Sequence, residues 1–433
     1  MESSMTVEGL YRLFREHPVV TTDSRDCPDR SIFIALRGAS FNGNAFAGTA
    51  LAAGCSYAVV DDEAAAARLR SDGYGSRTVL VEDCLKTFQF LAREHRRALG
   101  TTVIGITGTN GKTTTKELTA AVLSKRYSTL FTQGNYNNDI GVPKTLLRLT
   151  EQHDIAVVEM GASHPGDIRT LVNIVEPDCG LITNVGQAHL QGFGSFEGVL
   201  RTKGELYDFL RTKADSVTFI NHKDKDLMSI ASGLPHIVRY AHGEVTACDP
   251  FLHFVWGEEQ KYEVSTRLIG AYNVHNCMAA VTIGLHFGVS PEAICEAIEE
   301  YTPTNNRSQL IITPHNRLIV DAYNANPTSM AAALDNFRLM DGHKLAILGD
   351  MGELGAASHE EHAKVVSQCE AYGLDAWLVG GEFSTVPSPY RVFTDVDAVR
   401  QEFSSHPLHG YTILIKGSHS MRLYELAANT AVL

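Results

Sequence analysis

Short apolar runs that end in polar residues recur along this chain. In its middle they lie at residues 103–107, 155–160, 179–184 and 217–221, with stretches of helical character between them. Runs of this length are typical of buried strands, and strands that alternate with helices predict a mostly parallel sheet. Ligands bind at the carboxyl ends of the strands in such sheets, so the polar residues at these ends are candidates for chemistry.

The same pattern extends toward both ends of the chain. On the N-terminal side, strands are predicted at 31–36 and 57–60, and helices at 46–53 and 86–99, the second ending at Gly100. On the C-terminal side, strands are predicted at 318–321, 345–350, 376–380 and 412–416, with a helix at 358–372, which is typical of a Rossmann-like unit. We therefore expect an α/β protein of three domains, at residues 1–98, 99–304 and 305–433.

Composition narrows the class of protein. The formal net charge of −13 argues against nonspecific binding of nucleic acid, which requires a basic surface. No run of 18 apolar residues occurs, so no membrane span is expected. The first five residues contain neither a basic start nor an apolar stretch, which argues against a signal peptide. Eight scattered cysteines without a Cys-x-x-Cys pair are typical of reduced thiols in a cytoplasmic protein.

A glycine-rich turn joins the predicted strand at 103–107 to a predicted helix. Its residues are Gly108, Thr109, Asn110, Gly111, Lys112, Thr113 and Thr114. Glycines allow backbone N–H groups to turn toward phosphate oxygens, and the helix N-terminus adds partial positive charge. The Lys112 ammonium can reach the terminal phosphates of a nucleotide, and the Thr113 hydroxyl can bind Mg²⁺. Ile106 occupies the position of the first glycine in the strict motif, so the alternative is an accidental glycine-rich turn.

Three other side chains are candidates because of their positions along the chain. Glu159 ends a predicted strand and suits a ligand of Mg²⁺, direct or through water; the alternative is a solvated carboxylate. His189 follows the strand at 179–184 and is a candidate second metal ligand, although a lone histidine is usually structural. Spacing alone predicts that Lys203 is an ordinary solvated lysine on a helix.

Several segments together carry a resemblance to a known family. The phosphate loop resembles that of the Mur ligases of peptidoglycan synthesis, and so do residues 134–143, 159–168, 321–327, 348–355 and 416–418. The resemblance covers essentially the full chain and is strongest to the branch that adds D-alanyl-D-alanine. The chain lacks the Asp-Asn-Pro-Arg motif expected of the branch that adds diaminopimelate or lysine.

The resemblance implies a fold, a reaction and a set of cofactors. The three domains would be a small α/β domain that binds the UDP end of UDP-N-acetylmuramoyl-tripeptide, a central ATPase domain and a C-terminal Rossmann-like domain. ATP would phosphorylate the tripeptide carboxylate, and D-alanyl-D-alanine would then displace phosphate. Two Mg²⁺ ions are implied, held by Thr113, Glu159, His189 and Lys203, with Lys203 carbamylated. We expect the chain to act as a monomer.

Further site residues follow from the resemblance, position by position. Arg307 matches an arginine that reaches the γ-phosphate, Asn276 matches an asparagine that contacts adenine, and Asp321 matches a carboxylate that binds ribose. The resemblance also implies a nucleotide-binding residue, Asn138, and residues that bind the substrates, namely Ser24, Arg25, Asn42, Asn324 and Asn326.

The chain departs from the family pattern in two places. It has Asn42-Gly43-Asn44 where the family often has Asp-Gly-His, and this difference bears on the contacts to the UDP-sugar. It also has Val320 where a second acidic residue often precedes the position of Asp321.

Two other functions are compatible with the phosphate loop. A folylpolyglutamate-synthetase-like ligase shares the ATP chemistry and a similar central domain, but it would lack the UDP-binding domain. A nucleotide switch would hydrolyse a triphosphate without joining two substrates. The third α/β unit favours a two-substrate ligase, as does the placement of Arg307 on a different predicted domain from Lys112.

Overall fold

The computed structural model describes residues 6–304 and 307–427. The chain divides into two compact units. The first comprises residues up to 105, together with 128–160 and 169–178; the second comprises 106–127, 161–168 and the residues from 179 onward. Within the described residues, no helix is both long enough and apolar enough to cross a membrane.

A parallel sheet with the strand order β1-β2-β3-β4 begins the first unit. Its strands are β1 (Val20–Thr21), β2 (Ile32–Ile34), β3 (Tyr57–Val60) and β4 (Thr78–Leu80). The helices around it are α1 (Val7–Glu16), α2 (Ala47–Ala52), α3 (Glu63–Ser71) and α4 (Cys84–Leu99). The carboxylates of Asp62 and Asp83 accept backbone N–H groups at the starts of α3 and α4, and α4 ends as predicted at Gly100, whose φ is +66°.

Strand β5 (Thr102–Thr107) carries the chain from the first unit into the second. The elements that follow are α5 (Lys112–Ser124), β6 (Thr129–Phe131), α6 (Gly141–Leu146), β7 (Ile155–Glu159), α7 (Asp167–Val175), β8 (Cys179–Ile182), α8 (Leu190–Phe193), α9 (Phe196–Arg211), β9 (Val217–Ile220), α10 (Lys225–Ser229) and β10 (His236–Arg239). In the first unit β6 pairs in parallel with β7, and in the second β9 pairs in parallel with both β8 and β10. The parallel arrangement predicted from the alternation of strands and helices is confirmed.

An antiparallel sheet in the second unit was not predicted. It has the order β11-β12-β13 and consists of β11 (Gly243–Cys248), β12 (Phe251–Trp256) and β13 (Tyr262–Ile269), followed by α11 (Asn273–His286) and α12 (Pro291–Glu300). Along β12, the buried residues Leu252, Phe254 and Trp256 alternate with more exposed ones. This period of two is typical of an antiparallel sheet with one buried face, and it differs from the continuous apolar runs of the parallel strands.

The C-terminal sheet has the order β14-β15-β19-β16-β17-β18. Its elements are β14 (Gln309–Ile312), β15 (Arg317–Asp321), α13 (Pro327–Phe337), β16 (His343–Gly349), α14 (Ser358–Tyr372), β17 (Asp375–Val379), α15 (Gly381–Ser384), β18 (Arg391–Phe393), α16 (Val396–Ser405) and β19 (Tyr411–Lys416). The edge strand β14 is antiparallel to β15, and the other pairings are parallel. Alternate residues of β16 enter two separate cores, Ala346 and Leu348 in one, Leu345 and Ile347 in the other. Burial on both faces explains why this strand is a continuous apolar run.

The predicted α/β class is therefore confirmed. The boundaries at 98 and 304 stay a prediction. The second boundary lies beside Asn305 and Asn306, which are outside the described residues.

Within the first unit, Arg96 anchors the end of α4. Its guanidinium donates to the backbone carbonyls of Val175 at 3.1 Å and Glu176 at 2.9 Å, and it pairs with the Asp178 carboxylate at 2.6 Å. The same carboxylate accepts the backbone N–H of Val103 at 2.9 Å. Because Arg96 is buried, its removal would take a charged donor away from three acceptors at once.

We expect Arg96→Met to lower the free energy of unfolding by about 2–3 kcal/mol, since it breaks a buried, charge-assisted network. Arg97→Met is the matched control: the neighbouring guanidinium is exposed and pairs with Glu176 and Glu94, so its loss should lower stability by less than about 1 kcal/mol. The midpoint of urea unfolding, followed by far-ultraviolet circular dichroism, measures both effects, since the two tryptophans, Trp256 and Trp377, both lie in the second unit. Equal shifts for the two variants would contradict the assignment of Arg96 as the anchor.

Candidate active site

The glycine-rich loop lies between β5 and α5, in the second unit. Gly108 and Gly111 have φ values of +142° and +77°, a backbone region that residues with a side chain rarely adopt. A Cβ atom on Gly111 would lie 2.5 Å from Oδ1 of Asn276, and one on Gly108 would collide with the Thr183 hydroxyl. Both positions therefore require glycine because of backbone conformation and because of space.

Asn184, just beyond β8, supports this loop from the side. Its carbonyl accepts the Thr109 N–H at 2.9 Å, its Oδ1 accepts the Asn110 N–H at 3.0 Å, and its Nδ2 donates to the Asn110 carbonyl at 3.0 Å. The Thr183 hydroxyl donates to the same carbonyl at 2.6 Å. Sequence reasoning did not assign Asn184 to the site, although its position at the polar end of a strand was the available indication.

Lys112 is the first residue of α5. Its Nζ donates to the carbonyls of Gly108 at 2.8 Å and Thr109 at 2.9 Å, so the ammonium lies over the loop. Thr113 follows and is buried, with 2% of its surface exposed, whereas Thr114 is half-buried. The N-terminal turn of α5 and the charge of Lys112 together make this loop a place for an anion.

Asn276, in α11, lies behind the loop. Its Oδ1 accepts the Thr115 hydroxyl at 3.1 Å, and its Nδ2 donates to Asn273 Oδ1 at 2.8 Å. These bonds fix the amide beside Gly111, at the start of α5. The sequence assigned Asn276 to adenine, and the structure places its amide against the loop itself.

Lys203 lies on α9 and is buried, with 2% of its surface exposed, so the interpretation from spacing alone as a solvated lysine is wrong. Its Nζ donates to the Ala162 carbonyl at 3.4 Å and lies 5.2 Å from the centre of the Phe193 ring. Burial holds the pKa of Lys203 well below its usual range, and the charge of Lys112 lowers it further, while Asp167 and Glu205 oppose the shift. Loss of solvation thus favours the neutral amine.

His189 precedes α8 and has a φ of +51°. Its Nδ1 pairs with the carboxylate of Glu353, which also has a positive φ, and its ring packs edge-on against Phe193 at 6.1 Å. Burial lowers the pKa of His189, Glu353 opposes this shift, and the charges of Lys112 and Lys203 reinforce it. Sequence reasoning missed Glu353, whose position, 164 residues further along the chain, is brought to His189 only by the fold.

The C-terminal sheet region contacts the loop through Asn326. Its Oδ1 caps α13 by accepting the Ser329 N–H at 2.9 Å, and its Nδ2 donates to Asn110 Oδ1 at 2.8 Å. The hydroxyl of Thr328, the second residue of the same helix, accepts the Gln187 N–H at 3.1 Å. The helix start and the loop are therefore in direct contact.

Asp321, at the end of β15, forms the centre of a second polar group. Its carboxylate pairs with Lys416 Nζ at 2.5 Å and accepts the Ser308 N–H at 3.1 Å. Lys416 also donates to the Asn324 carbonyl at 3.4 Å. Arg307 precedes Ser308, and its guanidinium lies over the Tyr323 ring.

In the first unit, Glu159 ends β7 and is buried, with 1% of its surface exposed. Its Oε1 accepts Nδ2 of Asn137 at 2.8 Å, and its backbone N–H donates to the Thr132 hydroxyl at 3.0 Å. The predicted Asn138 accepts the Gly141 N–H at 2.7 Å and so holds the start of α6. Sequence reasoning missed the contact of Asn137.

Of the predicted substrate residues of the first unit, Arg25 and Asn42 are exposed and Ser24 is half-buried. Arg25 forms a two-point ion pair with Asp23, at 2.9 and 2.7 Å. The Ser24 carbonyl accepts the Cys27 thiol at 3.4 Å. Asn42 Oδ1 accepts the backbone N–H of Asn44 at 3.0 Å.

Acidic, histidine and cysteine side chains do not by themselves form a metal site in the described residues. Across residues 6–304 and 307–427, no group of three or more His, Cys, Asp and Glu side chains has an arrangement suited to a metal ion. The set predicted from the sequence contains two members of another kind, the hydroxyl of Thr113 and the amine of Lys203.

Comparison with known proteins gives a consistent picture. The Mur ligase middle domain matches residues 106–284, and the Mur ligase glutamate ligase domain matches residues 306–419. The chain is 34% identical over 428 residues to the UDP-N-acetylmuramoyl-tripeptide--D-alanyl-D-alanine ligase of Escherichia coli strain K12, which covers 94% of this chain and 92% of the relative.

Two solved structures extend the comparison. The crystal structure of MurF from Acinetobacter baumannii matches with a TM-score of 0.85 at 30% identity, covering 95% of this chain and 92% of that one. The structure of MurF ligase from Thermotoga maritima in complex with ADP matches with a TM-score of 0.82 at 23% identity, covering 95% and 96% of the two chains, and shows a shared fold.

We expect Gly111→Ala to weaken binding of a fluorescent ATP analogue by at least about tenfold, because the added methyl group must displace Asn276 from the loop. Gly410→Ala is the matched control, since Gly410 has the same φ of +77° with nothing within 4 Å of an added Cβ. Both variants carry the backbone penalty of about 1–2 kcal/mol, and only Gly111→Ala carries the collision. Equal affinities for the analogue would refute the steric argument.

Proposed function

The chain belongs to the Mur ligase family, and on that premise we propose that it joins D-alanyl-D-alanine to UDP-N-acetylmuramoyl-tripeptide with conversion of ATP to ADP and phosphate. The identity to a ligase of that name over nearly the whole length of both chains supports this substrate pair. The phosphate loop supports the use of a nucleoside triphosphate.

The contact between Asn110 and Asn326 is the observation that favours a ligase over a nucleotide switch. Asn110 belongs to the phosphate loop, and Asn326 begins α13 of the C-terminal sheet region, which also contains Arg307 and Asp321. A helix start in contact with the loop provides a second wall, against which a second substrate can bind. A switch that only hydrolyses a nucleotide has no need of this wall.

The proposed reaction has two steps. In the first, a carboxylate oxygen of the tripeptide attacks the γ-phosphorus of ATP, so that an O–P bond forms, the bond to ADP breaks and an acyl phosphate results. In the second, the free amine of D-alanyl-D-alanine attacks the acyl carbon, phosphate leaves, and the nitrogen loses a proton. The first step brings two anions together, and the charges of Lys112 and Arg307 offset their repulsion.

Mg²⁺ ions and a carbamate on Lys203 are part of the same proposal. The residues that would hold the ions are Thr113, Glu159, His189 and carbamylated Lys203. The buried amine of Lys203, whose pKa is lowered by loss of solvation, fits the modification, because only an uncharged amine reacts with CO₂ and the product supplies two oxygens that share one negative charge. When bound, Mg²⁺ would neutralise phosphate charge and polarise the γ-phosphoryl group.

The remaining assignments follow the predicted domains. We propose that residues 1–98 bind the UDP-substrate through Ser24, Arg25 and Asn42, that residues 99–304 bind ATP, and that residues 305–433 contribute Arg307, Asp321, Asn324 and Asn326. Asn138 and Asn276 complete the nucleotide site. A hinge at 302–305 would let the last domain close over the acyl phosphate and exclude water; its last residue, Asn305, lies outside the described residues. We propose a monomer that acts in the cytoplasm.

We expect Lys112→Ala to abolish phosphate release in an assay with ATP, Mg²⁺, UDP-N-acetylmuramoyl-tripeptide and D-alanyl-D-alanine, because the loop loses the cation that would neutralise the transferred phosphate. Binding of the UDP-substrate should persist. Lys125→Ala, at the opposite end of α5, is the control and should retain activity. Omission of either substrate should stop phosphate release by the native protein; release with ATP alone would instead identify a nucleotide switch, and release with a folate substrate would identify the other ligase class.

We expect Lys203→Ala to abolish turnover as well, because the variant has no amine to form the carbamate. Lys213→Ala, two residues beyond the end of α9, is the control. Depletion of bicarbonate should slow turnover by the native protein, and it should slow turnover by Lys213→Ala to the same extent. If Lys203→Ala turned over normally without added bicarbonate or carboxylic acid, the carbamate would have no role.

A further inference from the structure

Arg307 is held by an aromatic ring. Its guanidinium carbon lies 4.0 Å from the centre of the Tyr323 ring, which is within the range of a strong cation–π contact. Its Nε is buried, and within the described residues this atom has no hydrogen-bond partner. Arg96, a buried arginine of the first unit, is held in a different way, by a carboxylate and two carbonyls.

The Tyr323 ring also contacts a second aromatic group. His419 packs edge-on against it at 5.8 Å between ring centres, and Tyr424 packs against His419 at 5.1 Å. The backbone around Tyr323 is fixed as well, because Lys416 bonds to Asp321 on one side and to Asn324 on the other. The ring is therefore a rigid surface.

The backbone next to Arg307 is also constrained. Ser308 has a φ of +49°, its N–H donates to Asp321, and its hydroxyl shares a hydrogen bond of 2.8 Å with the Tyr272 hydroxyl. Arg307 thus leaves a fixed point of the chain and ends on a fixed ring. A long side chain that is held in this way has already lost rotamer freedom before any ligand binds. Binding of a ligand then costs less conformational entropy.

A guanidinium held by a ring differs from one held by a carboxylate in its remaining charge and in its free hydrogen-bond donors. A carboxylate partner would neutralise the guanidinium and occupy its N–H groups in a two-point bond. A ring contacts only the face of the guanidinium, so it does not occupy the N–H groups of the two terminal nitrogens and leaves the full charge in place. Such a group is ready to bind the planar or tetrahedral oxygens of an anion.

We propose that Tyr323 is a positioning residue that holds the Arg307 guanidinium, charged and with its edge N–H groups available, for the terminal phosphate of the nucleotide. This inference rests on the proposed function, in which Arg307 meets the γ-phosphate. It concerns the ring face of Tyr323 and does not involve its hydroxyl. Phenylalanine has the same face and leucine has none, so the two substitutions separate the ring from the mere volume of the side chain.

The test compares Tyr323→Leu with Tyr323→Phe in the phosphate-release assay with ATP, Mg²⁺ and both substrates. Loss of a desolvated cation–π contact should lower kcat of Tyr323→Leu about tenfold, while Tyr323→Phe stays within about twofold of the native protein. The KM for the UDP-substrate should not change in either variant. Tyr372→Leu is the matched control, because it removes a similar ring beneath Arg338, at 4.7 Å, outside the site.

A second measurement excludes a general structural effect. Guanidinium ion added to Arg307→Ala should restore part of the lost activity, since the Tyr323 ring can hold the free ion in place of the side chain. The same ion should restore nothing in the double variant Arg307→Ala, Tyr323→Leu. Activity of Tyr323→Leu equal to that of the native protein would overturn the inference, as would equal losses in the leucine and phenylalanine variants.

A binding measurement separates this inference from the proposed function. In the proposal Arg307 binds the terminal phosphate, which ADP lacks. Tyr323→Leu should therefore lower the ratio of the affinity for a non-hydrolysable ATP analogue to the affinity for ADP by about tenfold, and Tyr323→Phe should leave this ratio unchanged. If the native protein released no phosphate with the two substrates, the proposed function would fail, and this preference would still decide the role of Tyr323. An unchanged preference in Tyr323→Leu would overturn the role even in an active ligase.

Discussion

The backbone of residues 108–111 is held in a shape that a side chain at either end would prevent, and most of the candidate site is arranged around it. Thr183 and Asn184 fix the loop from the end of β8, and Asn276 fixes it from α11. These contacts hold the N-terminus of α5 and the ammonium of Lys112 beside the loop. An anion-binding loop made of backbone N–H groups works only if the backbone is rigid, because its donors cannot adjust as side chains do.

The charge of Lys112 also affects titratable groups outside the loop. Lys112 contributes to the lowered pKa values of both Lys203 and His189, although burial is the larger cause for each. Burial and the nearby charge of Lys112 thus both favour the uncharged form of these two nitrogen groups. Neutral nitrogens can accept an electrophile or a metal, whereas ammonium and imidazolium cannot, so the electrostatics of the second unit favour the forms of Lys203 and His189 that the proposed carbamate and metal site would need.

Local patterns in the sequence predicted the elements better than the contacts between them. The strand at 57–60 and the helix at 358–372 have the predicted bounds, and the other predicted strands differ by one or two residues at one or both ends, where the boundary of an element is least sharply defined. The antiparallel sheet of β11–β13 was overlooked because its alternating residues differ from the continuous runs that indicated the other strands. For the site, the loop followed from a local motif, whereas the burial of Lys203 and the contacts made by Glu353 and Asn184 depend on segments far apart in sequence, which no local pattern encodes.

The bond between Asn110 and Asn326 has a thermodynamic consequence. One partner belongs to the loop that would hold a nucleotide, and the other fixes the start of a helix some two hundred residues further along the chain. Any ligand that shifts α13 therefore shifts the free energy of the loop, and the reverse holds by the same amount. If two ligands bind on either side of this bond, any factor by which the first changes the affinity for the second equals the factor by which the second changes the affinity for the first. The order of binding then leaves the total free energy of assembly unchanged.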